Sequence, residues 1–186
     1  MIVQDTLRPL TGEVTFHLWR EDLPVGLTDD PEAFAAFLDG RAFVKMRDEL
    51  LVEKVVHHNL VTNLGAQQFA SRIINGNSTL QPAWIALGSA VITPDATWTY
   101  GSAPGWNATA TEFFRKALSI SAVYQTYYLR YAMNSLTTDW NGTAKGAALV
   151  DTTAGACNLF AVVSCNQSKT AAQSLTTEWR IQVRSP

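Results

Sequence analysis

The sequence has little charge and no excess of basic residues. Only 16% of its 186 residues are Asp, Glu, Lys or Arg, against about 25% in an average globular chain. The net charge is −2, so the chain lacks the basic surface that attracts nucleic acid or an anionic membrane. We therefore expect neither nucleic acid nor a membrane as a partner.

Long apolar runs and paired cysteines are missing as well. No run approaches the roughly 20 residues of a membrane-spanning helix, and residues 1–14 lack the basic start and apolar centre of a signal peptide. We therefore expect the chain to fold in a cytoplasm. Cys157 and Cys165 would lie ~26 Å apart on a strand or ~12 Å apart on a helix. A disulfide needs Cα atoms within about 7 Å, so we expect free thiols.

The motifs of the common enzyme classes are also absent. There is no Cys-x-x-Cys, His-Glu-x-x-His or Gly-x-Ser-x-Gly sequence, and no phosphate-binding or dinucleotide-binding loop. The adjacent His57 and His58 would point to opposite faces of a strand, and a metal site would need His17 or a carboxylate as a third ligand. We expect no catalytic residue, no metal and no cofactor.

Two clusters of acidic residues have simpler explanations than catalysis. Asp29, Asp30 and Glu32 precede and open a predicted helix, where an acidic side chain caps free N–H groups and favours the helix dipole. Asp48, Glu49 and Glu53 are predicted to form a solvated face. A pair of glycosidase carboxylates would be the alternative function of such clusters.

Hydrophobic patterning predicts a mainly β protein. Residues 13–20 alternate, with Val14, Phe16 and Leu18 on one face, which is typical of a half-buried strand. The run 115–135 has tyrosines at helical spacing, but its β-branched and aromatic residues favour strands. Helices are predicted at 31–39, between Asp30 and Gly40, and from Asn63 to about Gly76. Further strands are predicted in 42–47, 50–62, 83–90, 146–166 and 173–186.

These elements amount to seven to nine strands and two short helices. That content is typical of an antiparallel β-sandwich, jelly-roll-like in type. We expect residues 1–12 to form an N-terminal arm, and 13–186 to form a single β-sandwich domain with a helical insertion at about 21–50.

Aromatic residues are concentrated where charge is scarcest. Between Arg72 and Glu112 the only charged residue is Asp95, and the Gly- and Pro-containing loop 93–111 carries Trp98, Tyr100 and Trp106. If exposed, these rings would stack on sugars or dock on a partner; if buried, they would anchor the loop. With Phe34 and Phe37 of the predicted helix, they are our candidate partner-binding residues.

The order of several short motifs resembles a group of small bacteriophage virion proteins, found around tails and as accessory proteins on capsids. The motifs are "HHNLVTNLGAQQFASRIING", "WIALGSAVITPDATW", a Glu-x-x-Arg pattern at Glu112 and Arg115, and Lys169 followed by "SL" and "EWRIQV". The match covers roughly residues 56–183. Residues 21–50 look like an addition to the pattern, and "LVDTTAGACNLFAVV" lacks the expected Glu.

The resemblance implies a virion structural protein without catalysis, which decorates or cements the capsid or belongs to the tail. Its partners would be further copies of itself, in a homo-oligomer such as a trimer, and major capsid or tail proteins. Glu112 and Arg115 would form a structural ion pair. The alternative function is a carbohydrate-binding host-recognition module with a glycan as its ligand.

Overall fold

The structure is a computed structural model that describes residues 11–75, 80–101, 105–125, 128–152 and 157–182. These residues form nine strands and five short helices. The strands are β1 (Thr11–Trp19), β2 (Leu51–Val61), β3 (Trp84–Gly88), β4 (Glu112–Ala117), β5 (Ile120–Gln125), β6 (Tyr128–Ser135), β7 (Gly142–Val150), β8 (Leu159–Lys169) and β9 (Ser174–Gln182). The helices are α1 (Val25–Thr28), α2 (Pro31–Leu38), α3 (Val44–Leu50), α4 (Asn63–Asn75) and α5 (Trp106–Thr109).

All strand pairs are antiparallel, in the order β4-β3-β7-β8-β2-β1-β9-β6-β5. The sheet has two halves, β4-β3-β7-β8 and β2-β1-β9-β6-β5, which meet where β8 pairs with β2. That joint is short, because only Leu60 and Val61 of β2 pair with β8. Buried side chains from both halves form one cluster, with Phe16 and Trp179 from one half and Ile85 and Leu149 from the other. The predicted mainly β, antiparallel architecture is confirmed.

Helix α4 is fixed tightly against β8. Thr62 caps the helix by accepting a hydrogen bond from the Gly65 N–H, and its hydroxyl reaches the carbonyl groups of Leu159 and Phe160. A Cβ atom on Gly65 would collide with the Phe160 carbonyl. Gly65 therefore allows the first turn of α4 to touch the β8 backbone. The predicted helix from Asn63 is confirmed, while Gly76 lies outside the described residues.

Helix α2 also forms as predicted. Asp30 accepts hydrogen bonds from the N–H groups of Glu32 and Ala33, and Pro31 occupies the first helical position. Gly40, just past the helix, has φ +70°, a conformation that glycine adopts without strain. Helices α1, α2 and α3 all lie within the range predicted for the helical insertion.

Three predictions of local structure are wrong. Residues 42–47 lead into helix α3 instead of forming a strand, and five helices are described instead of two. Strand β1 is buried on both faces, because α2 covers the face that carries His17 and Trp19. Thr11 and Gly12, the last two residues of the predicted N-terminal arm, belong to β1, and residues 1–10 lie outside the described residues.

Candidate subunit interface

The two adjacent histidines are ordinary strand residues. His57 is half-buried with its ring 5.7 Å from that of Phe16, whereas His58 is exposed on the opposite face of β2. His17 is buried on β1, opposite Lys54. Within the described residues, no three His, Cys, Asp or Glu side chains gather as a metal site would require.

The aromatic residues of loop 93–111 are buried. Trp98, Tyr100 and Trp106 are at most 8% exposed and pack on the face of the sheet that carries Ala86 and Ala148. Of the two alternatives for this loop, the structure therefore shows the second: the rings anchor it. The expected stacking surface for sugars is not available on these rings.

A polar cluster, which we call the Glu112 cluster, closes the loop. Glu112 accepts hydrogen bonds from Trp106 Nε1 (2.7 Å) and from the Tyr100 hydroxyl (3.3 Å). Arg115 binds both oxygens of Glu112 at 2.8 and 2.9 Å and also donates to the Tyr100 hydroxyl and the Thr152 carbonyl. The expected ion pair of Glu112 and Arg115 is therefore present and bidentate, a strong arrangement.

The two thiols lie apart and neither is activated. Cys157 is half-buried beside Arg115, and burial raises the pKa of its thiol to about 11. Cys165 is buried, and burial raises its pKa to about 12. Both thiols are free, as predicted, and both stay protonated at neutral pH, so neither is a ready nucleophile.

The two aromatic residues of α2 are also core residues. Phe34 and Phe37 are fully buried, and the Phe37 ring lies 5.2 Å from that of Trp19 on β1. All five residues predicted as partner contacts are therefore inaccessible in this structure. The prediction failed because the loop and the insertion each fold back onto a sheet face and bury the rings that sequence alone left unassigned.

Beneath the insertion lies a buried charge network that the sequence did not reveal; we call it the Glu178 network. Glu178 is fully buried on β9 and lies 2.7 Å from Arg130 Nε, 2.6 Å from Arg180 Nε and 3.1 Å from His17 Nε2. Asp39, at the end of α2, binds both Arg130 and Arg180 at 2.8–3.1 Å. The network therefore ties the insertion to three strands.

The protonation states in this network follow from its geometry. Burial opposes ionisation of Glu178, but the hydrogen bond from His17 and the two arginines overcome it and lower its pKa to about 2. Burial lowers the pKa of His17 below its usual 6.5, and Glu178 only partly offsets this. His17 is then neutral and donates from Nε2, which leaves Nδ1 without a partner among the described residues. His17, Arg130 and Glu178 are fully buried, so these groups hold the elements of the fold in position.

Strand β2 differs from these closed clusters because its surface is open. Val52, Glu53, Lys54, Val56 and His58 are exposed, and the other residues from Leu51 to Leu60 are half-buried. Residues 51 and 53–59 pair with β1, and among the described residues no strand pairs with their other edge. We call the five exposed side chains and this edge the β2 surface.

The segment before β2 extends this apolar exposure. Phe43 and Val44 are 59% and 48% exposed at the start of α3. Phe43 also adopts a left-handed backbone conformation, with φ 51°, which is uncommon for a bulky residue and costs of order 1–3 kcal/mol. An exposed aromatic ring held by a strained backbone is an unusual feature for a surface that meets only water.

One shallow depression of about 450 Å³ lies at the far end of β7 and β8. It is lined by Asn141, Gly142, Thr143, Ser168, Lys169, Thr170, Ala171 and Gln173. The ammonium group of Lys169 in this depression already has partners within the chain. Lys169 Nζ donates to the carbonyl groups of Thr137 and Gln173 and lies 5.2 Å from the Trp140 ring centre. Lys169 therefore holds the β8–β9 turn in place.

Comparison of the chain with protein-family models, with curated proteins and with solved structures gives no match. None of the helices in the described part of the chain has the length and apolar character to cross a bilayer. The candidate site therefore rests on the geometry of the chain itself, and the β2 surface is its most open part.

Proposed function

We propose that this protein is a non-enzymatic structural component of a bacteriophage particle. It decorates or cements the capsid, or forms part of the tail, through contacts between subunits. The observation that carries the proposal is the β2 surface, a strand in the middle of the sheet order whose side chains and edge stay open. Such a strand edge is a template for pairing with another chain.

The polar clusters support an architectural role over a catalytic one. The Glu112 cluster anchors a loop, and the Glu178 network anchors the insertion. The residues that carry the resemblance to phage virion proteins also have packing roles: Thr62 caps α4, Gly65 contacts β8, and Glu112 binds Arg115. These contacts fix the shape of the chain, which is what a particle subunit needs.

Quantitative mass spectrometry of purified particles tests this proposal. Peptides of this protein are counted against those of the major capsid protein, and a simple ratio near one would indicate decoration or cementing of the capsid. A few copies per particle would indicate the tail. Absence from particles would contradict the proposal.

Variants then test the contact surface itself. Val52→Glu and Val56→Glu place charge on the β2 surface, and we expect particle occupancy to fall by tenfold or more. Val25→Glu is the matched control, because Val25 is 70% exposed on α1 and should leave occupancy unchanged. Equal occupancy of all three variants would remove the β2 surface from the proposal.

A further inference from the structure

The open edge of β2 has a definite length and composition. It runs over nine residues from Leu51 to Asn59, before β8 joins at Leu60. The stretch contains no proline and has three valines, which are residues that favour strands. Its backbone is therefore suited to accept one more antiparallel strand.

Charges restrict which strand this edge accepts. Natural proteins use charged residues on open edges to prevent indiscriminate pairing, and Glu53 and Lys54 lie in the middle of this one. One oxygen of Glu53, Oε2, accepts a hydrogen bond from Gln167 Nε2 on β8 at 3.2 Å, which leaves Oε1 for a residue of another chain. A partner strand must place no like charge opposite either Glu53 or Lys54. The edge is thus selective, and a second copy of β2 carries both an acidic and a basic residue that can be matched against it.

Symmetry limits how two copies of β2 can pair. In an antiparallel ladder, residues directly opposite one another lie on the same face of the sheet. A two-fold axis perpendicular to the sheet must therefore pass through a residue pair, so that one residue faces its own copy. Each choice of that central residue gives one register.

The five central registers differ in their charge pairs. A centre at Glu53, Lys54 or His57 places that residue opposite itself, and a centre at Val56 places Lys54 opposite His58. A centre at Val55 instead places Glu53 opposite His57 twice, with Lys54 opposite Val56. Of the five registers, only this one places an acid opposite an imidazole. It also places no ionisable residue opposite its own copy and does not place Lys54 opposite a histidine.

We propose that two copies of this chain pair through β2, antiparallel, with Val55 opposite Val55 on the two-fold axis. The two half-sheets then form one continuous sheet, with Glu53 of each copy bound to His57 of the other. The inference takes the β2 surface from the proposed function and names its partner. The resulting unit is a dimer instead of the expected trimer, and a larger symmetric assembly would contain it as a building block.

Single-cysteine variants test both the contact and the register. They are made with Cys157→Ser and Cys165→Ala, so that the only thiol is the introduced one. In the proposed register, two cysteines from Val55→Cys lie about 5 Å apart, within reach of a disulfide. In the same register, a cysteine at position 54 or 56 lies two residues along the strand from its copy in the other chain. The two cysteines of Lys54→Cys or Val56→Cys are therefore more than about 8 Å apart. We expect Val55→Cys to cross-link at least tenfold faster than the other two.

Sedimentation of the unmodified chain provides a second, independent measurement. We expect a dimer that dissociates on dilution, and Glu53→Lys should raise its dissociation constant at least tenfold because it opposes Lys to His57. The exchanged double variant, Glu53→His with His57→Glu, restores the pair and should regain most of the affinity. Circular dichroism verifies that each variant remains folded.

Each outcome bears on a single claim. A chain that stays monomeric at about 100 µM, or a Lys54→Cys or Val56→Cys variant that cross-links fastest, overturns the pairing proposed here. Cross-linking through Val55→Cys in a protein that is absent from particles would preserve the dimer and contradict the proposed function. A protein present in particles without this cross-link would do the reverse.

Discussion

Strands β9 and β2 both lie inside the strand order, each with a neighbour on either side, yet their environments are opposite. From Ser174 to Trp179, β9 is buried on both faces, while β2 has no fully buried residue before Val61. The difference comes from what covers them. The insertion lies over β1, β9 and β6 through the Glu178 network. Strand β8, in contrast, makes only two residue pairs with β2 and beyond them reaches β2 through the Gln167 side chain, which binds Glu53.

The two strands therefore have different roles: the region around β9 stabilises the fold, and β2 is available for contacts with another chain. The free energy of folding resides mainly where burial and paired charges are complete, since buried apolar area is the dominant favourable term. The open strand contributes less to the isolated chain and is free to make contacts with another. Changes in the two regions should therefore have different consequences.

The largest expected effect is on the closed side. Glu178→Ala removes one of the two carboxylates that bind the buried Arg130 and leaves only Asp39, and breaking such a buried pair typically costs about 3–5 kcal/mol of the free energy of unfolding. Urea denaturation measures this loss. His58→Ala, which removes an exposed imidazole from β2, is the control and should change the free energy by less than about 0.5 kcal/mol. Equal effects would erase the distinction between the two strands.

The contact between α4 and β8 should be next in size. Gly65→Ala forces a methyl group against the Phe160 carbonyl, and overpacking of this kind costs about 1–3 kcal/mol. Gly26→Ala in α1 meets no atom within 4 Å and should be neutral or slightly stabilising. Thermal unfolding of both variants provides the measurement, and a neutral Gly65→Ala would show that α4 is free to shift.

The Glu178 network should also give the stability a defined pH dependence. The folded-state pKa of His17 lies below 6.5, so only the unfolded chain binds a proton there as the pH falls, and stability decreases below about pH 6.5. Glu178, with a folded pKa of about 2 against 4.5, adds a second loss as the pH falls from about 4.5 to 2.

Urea midpoints between pH 8 and pH 5 test the first of these losses. His17→Asn should flatten the decline, and His58→Asn, on the exposed side of β2, should leave it unchanged. If the unmodified protein and both variants lose stability equally as the pH falls, His17 is not the group responsible.

The smallest effect on stability, with a clear effect on association, belongs to the open strand. Val56→Thr keeps the β-branched shape at a side chain that is 48% exposed, so we expect the free energy of unfolding of the monomer to change by less than about 0.5 kcal/mol. Self-association measured by sedimentation should nevertheless weaken. Lost stability with unchanged self-association would show that Val56 stabilises the fold and does not belong to the contact surface.

Much of the fold followed from local pattern. The strand alternation, the Asp30–Pro31 start and Gly40 end of α2, and the preference of residues 115–135 for strands all reflect interactions within a few residues. Residues 42–47 failed because the apolar start of the run concealed the good helix formers that follow, from Lys45 to Leu50. The prediction that β1 is buried on one face only was wrong because a separate segment of the chain, helix α2, covers the other face.

The site was less accessible to sequence reasoning. Glu112 and Arg115 are three residues apart and could be paired in advance, but Asp39, Arg130 and Glu178 are brought together by the sheet order alone. The open edge of β2 likewise depends on where β8 diverges. The one local signal was that residues 51–61 lack the clean alternation of a strand with one buried face.

Amide hydrogen exchange across a dilution series tests the central claim most directly. We expect roughly every second amide between Leu51 and Asn59 to gain protection as the concentration rises, while amides of β9 remain protected throughout. Protection of β2 that is complete in the most dilute sample and independent of concentration would contradict the account, because the strand would then already be closed within a single chain.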